Sequence, residues 1–198
     1  MVHNDKIPFG ASSDEVLLHI WSALEDGSKS GSSYNLLQLA TVDEGNKPAV
    51  RTIVLRQFRR QPEQLLFVTE ASSEKLRHIQ ANNEVSLLGY DPGTWTQIRL
   101  SGRASVPMEE EERLSQWKML SSRTRRSFLP RDACTRAVDQ AFEEVIICDN
   151  QGSVPPTSFA LVKVILHTAE LLDVSEEEHV QYNFQQADGR WRGERSRA

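Results

Sequence analysis

The segment KPAVRTIVLRQF, residues 47–58, has the composition of a half-buried β-strand but carries two arginines five positions apart. Successive side chains of a strand point to opposite faces. The two expected faces are Arg51, Ile53 and Leu55 on one side, and Thr52, Val54 and Arg56 on the other. Each face therefore presents one guanidinium among aliphatic side chains. This arrangement needs an explanation, because an unpaired cation is costly to bury.

Strand patterns occur on both sides of this segment. Residues 35–42 and 49–58 flank the sequence DEGNK, where Gly45 and Asn46 can take the positive φ angles of a tight hairpin. Apolar runs and apolar–polar alternation predict further strands at 65–70, 85–90, 94–106, 159–166, 168–174 and 180–194. The last segment contains Asp188–Gly189, which predicts a second hairpin turn.

Helical patterns interrupt the strands and are predicted at 12–27, 72–83, 107–122 and 133–145. Ser12 and Glu15 form a capping-box pattern at the start of the first. The Ser/Gly-rich residues 27–33 predict a linker, after which the strands begin at about residue 35. Pro107 and the glutamates that follow it suit a helix N-terminus.

Six or seven antiparallel strands with three or four helices predict an α+β fold, a barrel-like domain with peripheral helices. The chain has 198 residues, which favours a single domain over residues 1–198. Strands and helices do not alternate regularly, so a doubly wound nucleotide-binding fold is disfavoured.

Composition and motifs exclude several classes of function. The net charge of −5 gives no general attraction to nucleic acid or anionic lipid. The two cysteines, Cys134 and Cys148, form no CxxC motif, and residues 1–15 lack the apolar stretch of a signal peptide, so we expect a cytoplasmic protein. No apolar run is long enough to span a membrane. The five histidines occur singly, and no metal site is predicted.

The strand at 65–70 leads into a helix start that resembles a phosphate-binding site. Thr69, Ser73 and Lys75 lie where hydroxyls, free helix amides and an ammonium group can meet. Arg51 and Lys75 can both make charge-assisted bonds to a phosphate dianion. Gln97 begins a neighbouring strand with an amide that both donates and accepts, which suits the edge of a heteroaromatic ring.

Residues 121–131, SSRTRRSFLPR, contain four arginines and admit two interpretations. One is an anion site for a phosphate-bearing ligand or RNA. The other is an exposed basic helix balanced by the acidic residues just before it, and this interpretation is favoured. Phe128 is the only aromatic residue in the segment, which disfavours RNA binding.

Three motifs carry a resemblance to a known family: RTIVLR at 51–56, FVTEASSEK at 67–75 and QIRLSG at 97–102. In order and spacing they resemble the pyridoxamine 5′-phosphate oxidase family of FMN-binding split barrels. The resemblance extends from Asn35 to nearly the end of the chain. PAVRTIVLR, RLSQWKMLSSRTRRSF and the tail from AELLDV to DGRWRGER are similar to its divergent Alr4036-like branch.

The resemblance implies an antiparallel split β-barrel and a homodimer that binds two FMN molecules in clefts at the subunit interface. Arg51 is expected to bind the FMN phosphate, and Arg56 to reach toward the flavin and the substrate. The residues implied to bind the cofactor are Arg51, Thr52, Ile53, Val54, Leu55, Arg56, Val68, Thr69, Ser73, Lys75 and Gln97. The two arginines of the opening segment would then serve different ends of one anionic cofactor.

Two residues are expected on the substrate side of the flavin, Trp117 and Arg125, because the pattern that contains them recurs in this branch. Other positions depart from the family. Glu74 replaces an arginine that normally precedes the phosphate-binding lysine, and Ser72 replaces the arginine of the nearer branch. A carboxylate at position 74 predicts weak FMN binding.

The tail departs further. Pyridoxamine-phosphate oxidases carry an Arg-x-His pair, a further arginine and a flavin-packing tryptophan, where this sequence has Glu178, Val180, Tyr182 and Leu172. Three hypotheses follow: an FMN-dependent oxidoreductase acting on an unidentified small molecule, a true pyridoxamine or pyridoxine 5′-phosphate oxidase, and a non-enzymatic dimeric binder with weak or lost flavin binding. The first is favoured, without a named catalytic acid or base, because the flavin itself carries the redox chemistry.

Overall fold

The computed structural model describes residues 10–107, 109–129 and 154–196, and the backbone alone of 134–138, 144–148 and 197. Contacts within these residues define two compact units. The first comprises the described residues of 1–67, 74–105 and 162–198, and the second those of 68–73 and 106–161. Whether the chain is a single domain remains a prediction.

Most of the described chain is antiparallel sheet. The strands are β1 Leu36–Val42, β2 Pro48–Val54, β3 Gln57–Arg60, β4 Glu63–Glu70, β5 Glu84–Asp91, β6 Thr96–Ser105, β7 Cys134–Val138, β8 Glu144–Cys148, β9 Phe159–Asp173, β10 Val180–Ala187 and β11 Arg190–Arg197. The helices are α1 Ser13–Gly27, α2 Glu74–Ala81, α3 Glu110–Met119 and α4 Ser122–Arg126, with a short 3₁₀ helix at Ser33–Asn35. The predicted α+β class is confirmed.

One sheet of nine strands has the order β11-β10-β9-β6-β5-β1-β2, and β4 joins it by pairing with both β9 and β3. Two predicted hairpin turns are present: Asn46 has φ 60° between β1 and β2, and Asp188 and Gly189 have φ 52° and 71° between β10 and β11. The predicted strands at 159–166 and 168–174 are one continuous strand, β9, which runs along β6 with a bulge at Ser101/Gly102.

The opening segment forms two strands where one was predicted at 49–58. β2 ends at Val54, the Leu55 amide donates to the Asn35 carbonyl at 2.9 Å, and the Arg56 amide donates to the Leu66 carbonyl at 2.9 Å. The chain thus leaves its partner β1 and joins β4 within two residues. The break has a tertiary cause, since both accepting carbonyls belong to distant parts of the chain.

The core of the first unit lies between α1 and the sheet. Ser12 and Glu15 form the predicted capping box, with the Ser12 amide donating to the Glu15 carboxylate at 2.8 Å. Val16, Ile20 and Leu24 of α1 are fully buried, so the helix turns one apolar stripe to the sheet. The predicted linker at 27–33 consists of turns with their own backbone hydrogen bonds.

The predicted helix at 133–145 is wrong. Within that range the described backbone has β7, which pairs in antiparallel register with β8 as a separate two-stranded sheet. The segments contain Thr135, Val138 and the run Val145–Ile147, and such β-branched residues favour strands over helices. This composition outweighs the helical spacing of the apolar residues.

The second unit is organised around an aromatic cluster. Trp117, Phe128 and Phe159 are buried and pack edge to face, with ring centroids 5.1–6.1 Å apart. Leu120 completes this cluster, and Val68 packs against it. The Arg113 guanidinium lies 5.7 Å from the centre of the Phe159 ring and donates to the Phe159 carbonyl at 3.1 Å, which fixes α3 to the start of β9.

Among the described helices, none combines the length and the apolar character that crossing a membrane requires.

A buried tyrosine joins the 3₁₀ helix to β6. The Tyr34 hydroxyl lies 2.8 Å from Thr96 Oγ1, and burial raises the pKa of Tyr34 to about 12. An unfolded tyrosine ionises near pH 10. Above that pH the unfolded chain has lost a proton that the folded chain retains, so the free energy of unfolding must fall as the pH rises toward 12.

We predict that Tyr34→Phe lowers the free energy of unfolding by about 1 kcal/mol at neutral pH, the usual value of one hydrogen bond. It should also remove part of the alkaline loss of stability. Urea unfolding followed by circular dichroism at pH 8 and near pH 11 would measure both effects. If wild type and variant lost the same amount of unfolding free energy between pH 8 and pH 11, the assignment of this loss to Tyr34 would be contradicted.

Candidate functional site

Arg51 lies on β2 with its guanidinium directed at the end of the neighbouring strand β1. Its Nη1 donates to Thr41 Oγ1 at 2.5 Å, to the Ala49 carbonyl at 3.1 Å and to the Leu39 carbonyl at 3.4 Å. All three acceptors are neutral. Nε and Nη2 have no hydrogen-bond partner in the part of the chain that the structure describes.

The N-terminal turn of α2 places charge near Arg51. Partial burial lowers the pKa of the Arg51 guanidinium, while the negative charge of Glu74 acts in the opposite direction. The Glu74 side chain is 68% exposed and lies 3.9 Å from Nε2 of His78, so it is solvated and makes no ion pair with Arg51 among the described contacts. The Arg51 guanidinium therefore has a negative charge in its neighbourhood but no contacting carboxylate.

Arg56 follows the end of β2 and is half-buried. Its Nε is shielded from solvent and has no hydrogen-bond partner among the described residues. Burial lowers the pKa of this guanidinium too, and no acidic group offsets the effect. A buried donor without an acceptor costs free energy, and an anionic ligand would supply the missing acceptor.

The residues between the two arginines follow the predicted alternation. Ile53 and Leu55 are 6% and 0% exposed, so their side chains belong to the core and only their main-chain atoms can meet a ligand. Thr52 is exposed and Val54 is half-buried on the opposite face. The face assignment made from the sequence is confirmed for residues 51–55, whereas Arg56 lies beyond the end of β2.

Lys75 and Gln97 lie elsewhere in the first unit. Lys75 is the second residue of α2, half-buried beside Glu74. Gln97 lies on the outer face of β6, in register with Tyr90 of β5 and Leu172 of β9. Leu172 occupies the place where the family resemblance implied a tryptophan, so the residue opposite Gln97 is aliphatic.

The remaining predicted cofactor residues lie in the second unit. Val68 packs on the aromatic cluster, and the Thr69 hydroxyl donates to Ser73 Oγ at 3.3 Å. Ser73 also closes a backbone turn by donating its amide to the Glu70 carbonyl at 3.0 Å. Val68 and Thr69 lie at the end of β4, and Ser73 directly precedes α2. Their role in binding a cofactor remains a prediction.

The two residues expected on the substrate side also lie in the second unit. Trp117 has 0% exposure, because its ring is enclosed by the aromatic cluster. Its expected role as a residue that lines the flavin is not favoured by this burial. Arg125 lies on α4, a helix in which no residue is buried, as the exposed basic interpretation of this segment predicts.

The sequence analysis missed Thr41 and His78. Thr41 is 2% exposed and accepts from Arg51, and its Oγ1 lies 3.0 Å from Nδ1 of His78, which is 7% exposed. One signal was available: Thr41 shares the strand parity of Leu37 and Leu39, which places a hydroxyl on the buried face. His78 gave no comparable signal, since its partner lies 37 residues away in the sequence.

The tail positions that carry a substrate-binding pair in pyridoxamine-phosphate oxidases have different surroundings here. Tyr182 is 4% exposed, and its hydroxyl donates to the Ala11 carbonyl at 3.2 Å. Glu178 is exposed, and Val180 is half-buried at the start of β10. None of the three is cationic, so these positions offer no anchor for a substrate phosphate.

Comparison with known proteins shows what the chain is similar to. Residues 18–107 match the model of the FMN-binding domain of pyridoxamine 5′-phosphate oxidase. A crystal structure of a pyridoxamine 5′-phosphate oxidase-related, FMN-binding protein from Nostoc punctiforme superposes with a TM-score of 0.70 at 26% identity, covering 94% of this chain and 97% of that one. Over residues 18–107 the chain is therefore similar to this family. Its fold is the antiparallel split β-barrel that the motifs implied, while the narrower branch remains a prediction.

Two further relatives show how far the similarity extends. The pyridoxine/pyridoxamine 5′-phosphate oxidase 2 of Arabidopsis thaliana is 28% identical over 155 residues, which is 73% of this chain and 76% of the relative. PhzG of Burkholderia lata, solved with tetrahydrophenazine-1-carboxylic acid, shares the fold at 22% identity and a TM-score of 0.67, covering 96% of this chain and 94% of that one. At 22% identity the likeness to PhzG concerns the fold alone.

The residues at the site fit a phosphate-bearing cofactor. Arginine is a donor-only cation whose planar fork matches phosphate oxygens. The buried Nε of Arg56 lacks an acceptor among the described residues, and Arg51 is bonded only to neutral groups. Within the described chain, no cluster of three or more His, Cys, Asp or Glu side chains could hold a metal ion.

We predict that Arg56→Met stabilises the ligand-free protein by about 1 kcal/mol, because the substitution removes a buried donor that has no acceptor. Urea unfolding monitored by tryptophan fluorescence would measure the change. Arg59→Met is the matched control, since the Arg59 guanidinium already donates to Gln57 at 3.1–3.2 Å and its loss should not stabilise. A destabilised Arg56→Met protein would contradict the interpretation of Arg56.

Proposed function

We propose that this protein is a homodimeric, FMN-dependent oxidoreductase that acts on a small molecule other than pyridoxamine 5′-phosphate. The observation that carries the proposal is the pair of partly buried arginines, Arg51 and Arg56, neither of which contacts a carboxylate in the described chain. The match of residues 18–107 to a model of an FMN-binding domain supports the choice of ligand. A cytoplasmic location belongs to the same proposal.

In this proposal Arg51 and Lys75 bind the FMN phosphate, and Arg56 reaches toward the flavin. The main chain of residues 52–55 runs beside the cofactor, and Gln97 contacts the ring edge. Val68 and Thr69 at the end of β4 and Ser73 before α2 also contribute, a role that rests on the resemblance of FVTEASSEK to the family. The bound flavin supplies the redox chemistry, and the residues of this chain bind it, orient it and exclude water.

The outer face of the sheet supports a dimer. Leu36 of β1, Val50 of β2 and Tyr90 of β5 are 53%, 66% and 42% exposed, and the three strands are neighbours in the sheet. A patch of exposed apolar side chains on adjacent strands is typical of an interaction surface. We propose that a second copy of the chain covers this face.

The choice of a substrate other than pyridoxamine 5′-phosphate follows from the tail. Tyr182 uses its hydroxyl within the fold, and no cation occupies positions 178, 180 or 182. A phosphate dianion needs charged donors for tight binding. The names of the curated relatives nevertheless keep the vitamin B6 oxidase as the second candidate. A coupled assay of pyridoxamine 5′-phosphate oxidation by the FMN-loaded protein distinguishes the two, and we expect no turnover.

We predict that the purified protein binds FMN with a dissociation constant in the low to middle micromolar range. Arg51→Ala should weaken binding about 30-fold, equivalent to roughly 2 kcal/mol for a charge-assisted contact. Quenching of FMN fluorescence measures both constants. Arg60→Ala is the control, because Arg60 makes an ion pair with Glu25 on the surface, away from the proposed site.

Failure of the wild-type protein to quench FMN at any concentration up to the millimolar range would overturn the FMN proposal. It would favour the non-enzymatic alternative. An Arg51→Ala variant that binds as tightly as wild type would contradict the phosphate role alone and leave the cofactor itself in place.

We predict that Glu74→Gln strengthens FMN binding by about fivefold, since removing a nearby negative charge in a solvated setting is worth about 1 kcal/mol. The same titration at low and high salt measures the effect, which should shrink as salt screens the charge. Glu63→Gln changes the net charge equally at the start of β4 and should leave the affinity unchanged. If Glu63→Gln also bound FMN more tightly than wild type, the effect would be due to the net charge of the protein and not to the position of Glu74.

A further inference from the structure

A buried polar chain links Arg51 to α2. Thr41 Oγ1 accepts from Arg51 Nη1 at 2.5 Å and lies 3.0 Å from His78 Nδ1. Nε2 of the same imidazole lies 3.9 Å from the Glu74 carboxylate. The chain therefore runs from β2 through β1 to α2, and its central step joins residues that are 37 positions apart in sequence.

The direction of the hydrogen bonds follows from the donors. A guanidinium can only donate, so Thr41 Oγ1 is an acceptor toward Arg51. The Thr41 hydroxyl hydrogen is then available to donate to Nδ1 of His78 in the tautomer whose proton is on Nε2, the atom nearer to Glu74. One hydroxyl thus satisfies both the guanidinium and the imidazole.

The core around these groups is closed. Thr41 and His78 are 2% and 7% exposed, so their polar atoms need partners within the protein. The charged groups that face His78 are Glu74 on its own helix, Arg51 on β2 through the Thr41 hydroxyl, and Asp43 in the β1–β2 turn. A rotated Thr41 side chain would leave both Arg51 Nη1 and His78 Nδ1 with fewer partners.

All described bonds of the Arg51 guanidinium use Nη1. This geometry anchors one corner of the planar group and leaves Nε and Nη2 as its unused edge. Because the guanidinium is already held at Nη1, it loses less conformational entropy when Nε and Nη2 bind an oxyanion.

We propose that Thr41 and His78 are positioning residues, which hold the Arg51 guanidinium so that its Nε/Nη2 edge is presented to the cofactor phosphate. The inference rests on the proposed function, since it requires that Arg51 binds that phosphate. It assigns a binding role to two buried residues that do not themselves contact the ligand.

The test compares FMN with riboflavin, which is the same flavin without the phosphate. Thr41→Val keeps the shape and removes the hydroxyl, so it should weaken FMN binding about tenfold and leave riboflavin binding unchanged. Thr41→Ser restores the hydroxyl and should recover most of the FMN affinity. Thr94→Val is the matched control, because it removes another buried hydroxyl, one that lies 2.7 Å from Thr96 Oγ1.

Variants of His78 provide an independent test in case Thr41→Val fails to fold. The side-chain oxygen of His78→Asn can stand in for the acceptor Nδ1, so this variant should bind FMN within about threefold of wild type. His78→Leu offers no acceptor and should lose about tenfold in FMN affinity, again without change for riboflavin. Equal losses for both flavins in Thr41→Val or His78→Leu would overturn the positioning role and indicate a general structural defect.

The wild-type and Arg51→Ala titrations separate the two levels of inference. Wild-type protein that does not bind FMN, or Arg51→Ala protein that keeps its preference for FMN over riboflavin, contradicts the phosphate site itself. A preference lost in Arg51→Ala but intact in Thr41→Val and His78→Leu contradicts only the positioning role.

Discussion

The partial removal of two guanidinium groups from water is the constraint on which the site depends. Burial lowers the pKa of both Arg51 and Arg56, so each charged form is disfavoured relative to solvent. The cost of burying the Arg51 guanidinium is offset in part by neutral acceptors and by the nearby charge of Glu74. Arg56, in contrast, has a buried Nε with no acceptor in the described chain. Such a pair is tolerated at a ligand site, because an anion supplies the missing interactions when it binds.

The backbone path creates this arrangement. Because β2 pairs with β1 up to Val54, Arg51 is held beside the polar end of β1, where Thr41 lies. The chain then changes partner, with Leu55 bonded to Asn35 and Arg56 bonded to Leu66. The two arginines thus belong to one sequence motif but to different hydrogen-bonding environments, which is how neighbouring residues can address separate parts of one ligand.

The local features of the fold were accessible from the sequence, and the features set by distant partners were not. The capping box, the two hairpin turns and the face parity of residues 51–55 depend on near neighbours and were predicted correctly. The break between β2 and β3 depends on the Leu66 carbonyl, which no local pattern indicates. At 133–145 the helical spacing of the apolar residues led to a wrong prediction, since strand β7 pairs with strand β8.

In the candidate site, too, some residues could be predicted from local sequence patterns and others could not. The arginines and the turn before α2 were visible as charges and hydroxyls in a strand pattern, but the polar chain beneath Arg51 requires Thr41 and His78 to meet across 37 residues of sequence. Trp117 is a different case: its ring packs against two phenylalanines in the aromatic cluster, and its expected place beside the flavin stays a prediction.

Glu74 shows how one residue can act on the ligand-free and the bound protein in opposite directions. As the first residue of α2 it complements the helix dipole, and its charge favours the ionised Arg51. A phosphate at the same helix start would compete for those interactions. In the proposed function the carboxylate would therefore stabilise the ligand-free protein and lower the affinity for FMN, since binding reflects the difference between the two states. Because its side chain is largely exposed, Glu74 can turn toward solvent when an anion arrives, so its presence is compatible with a weaker site.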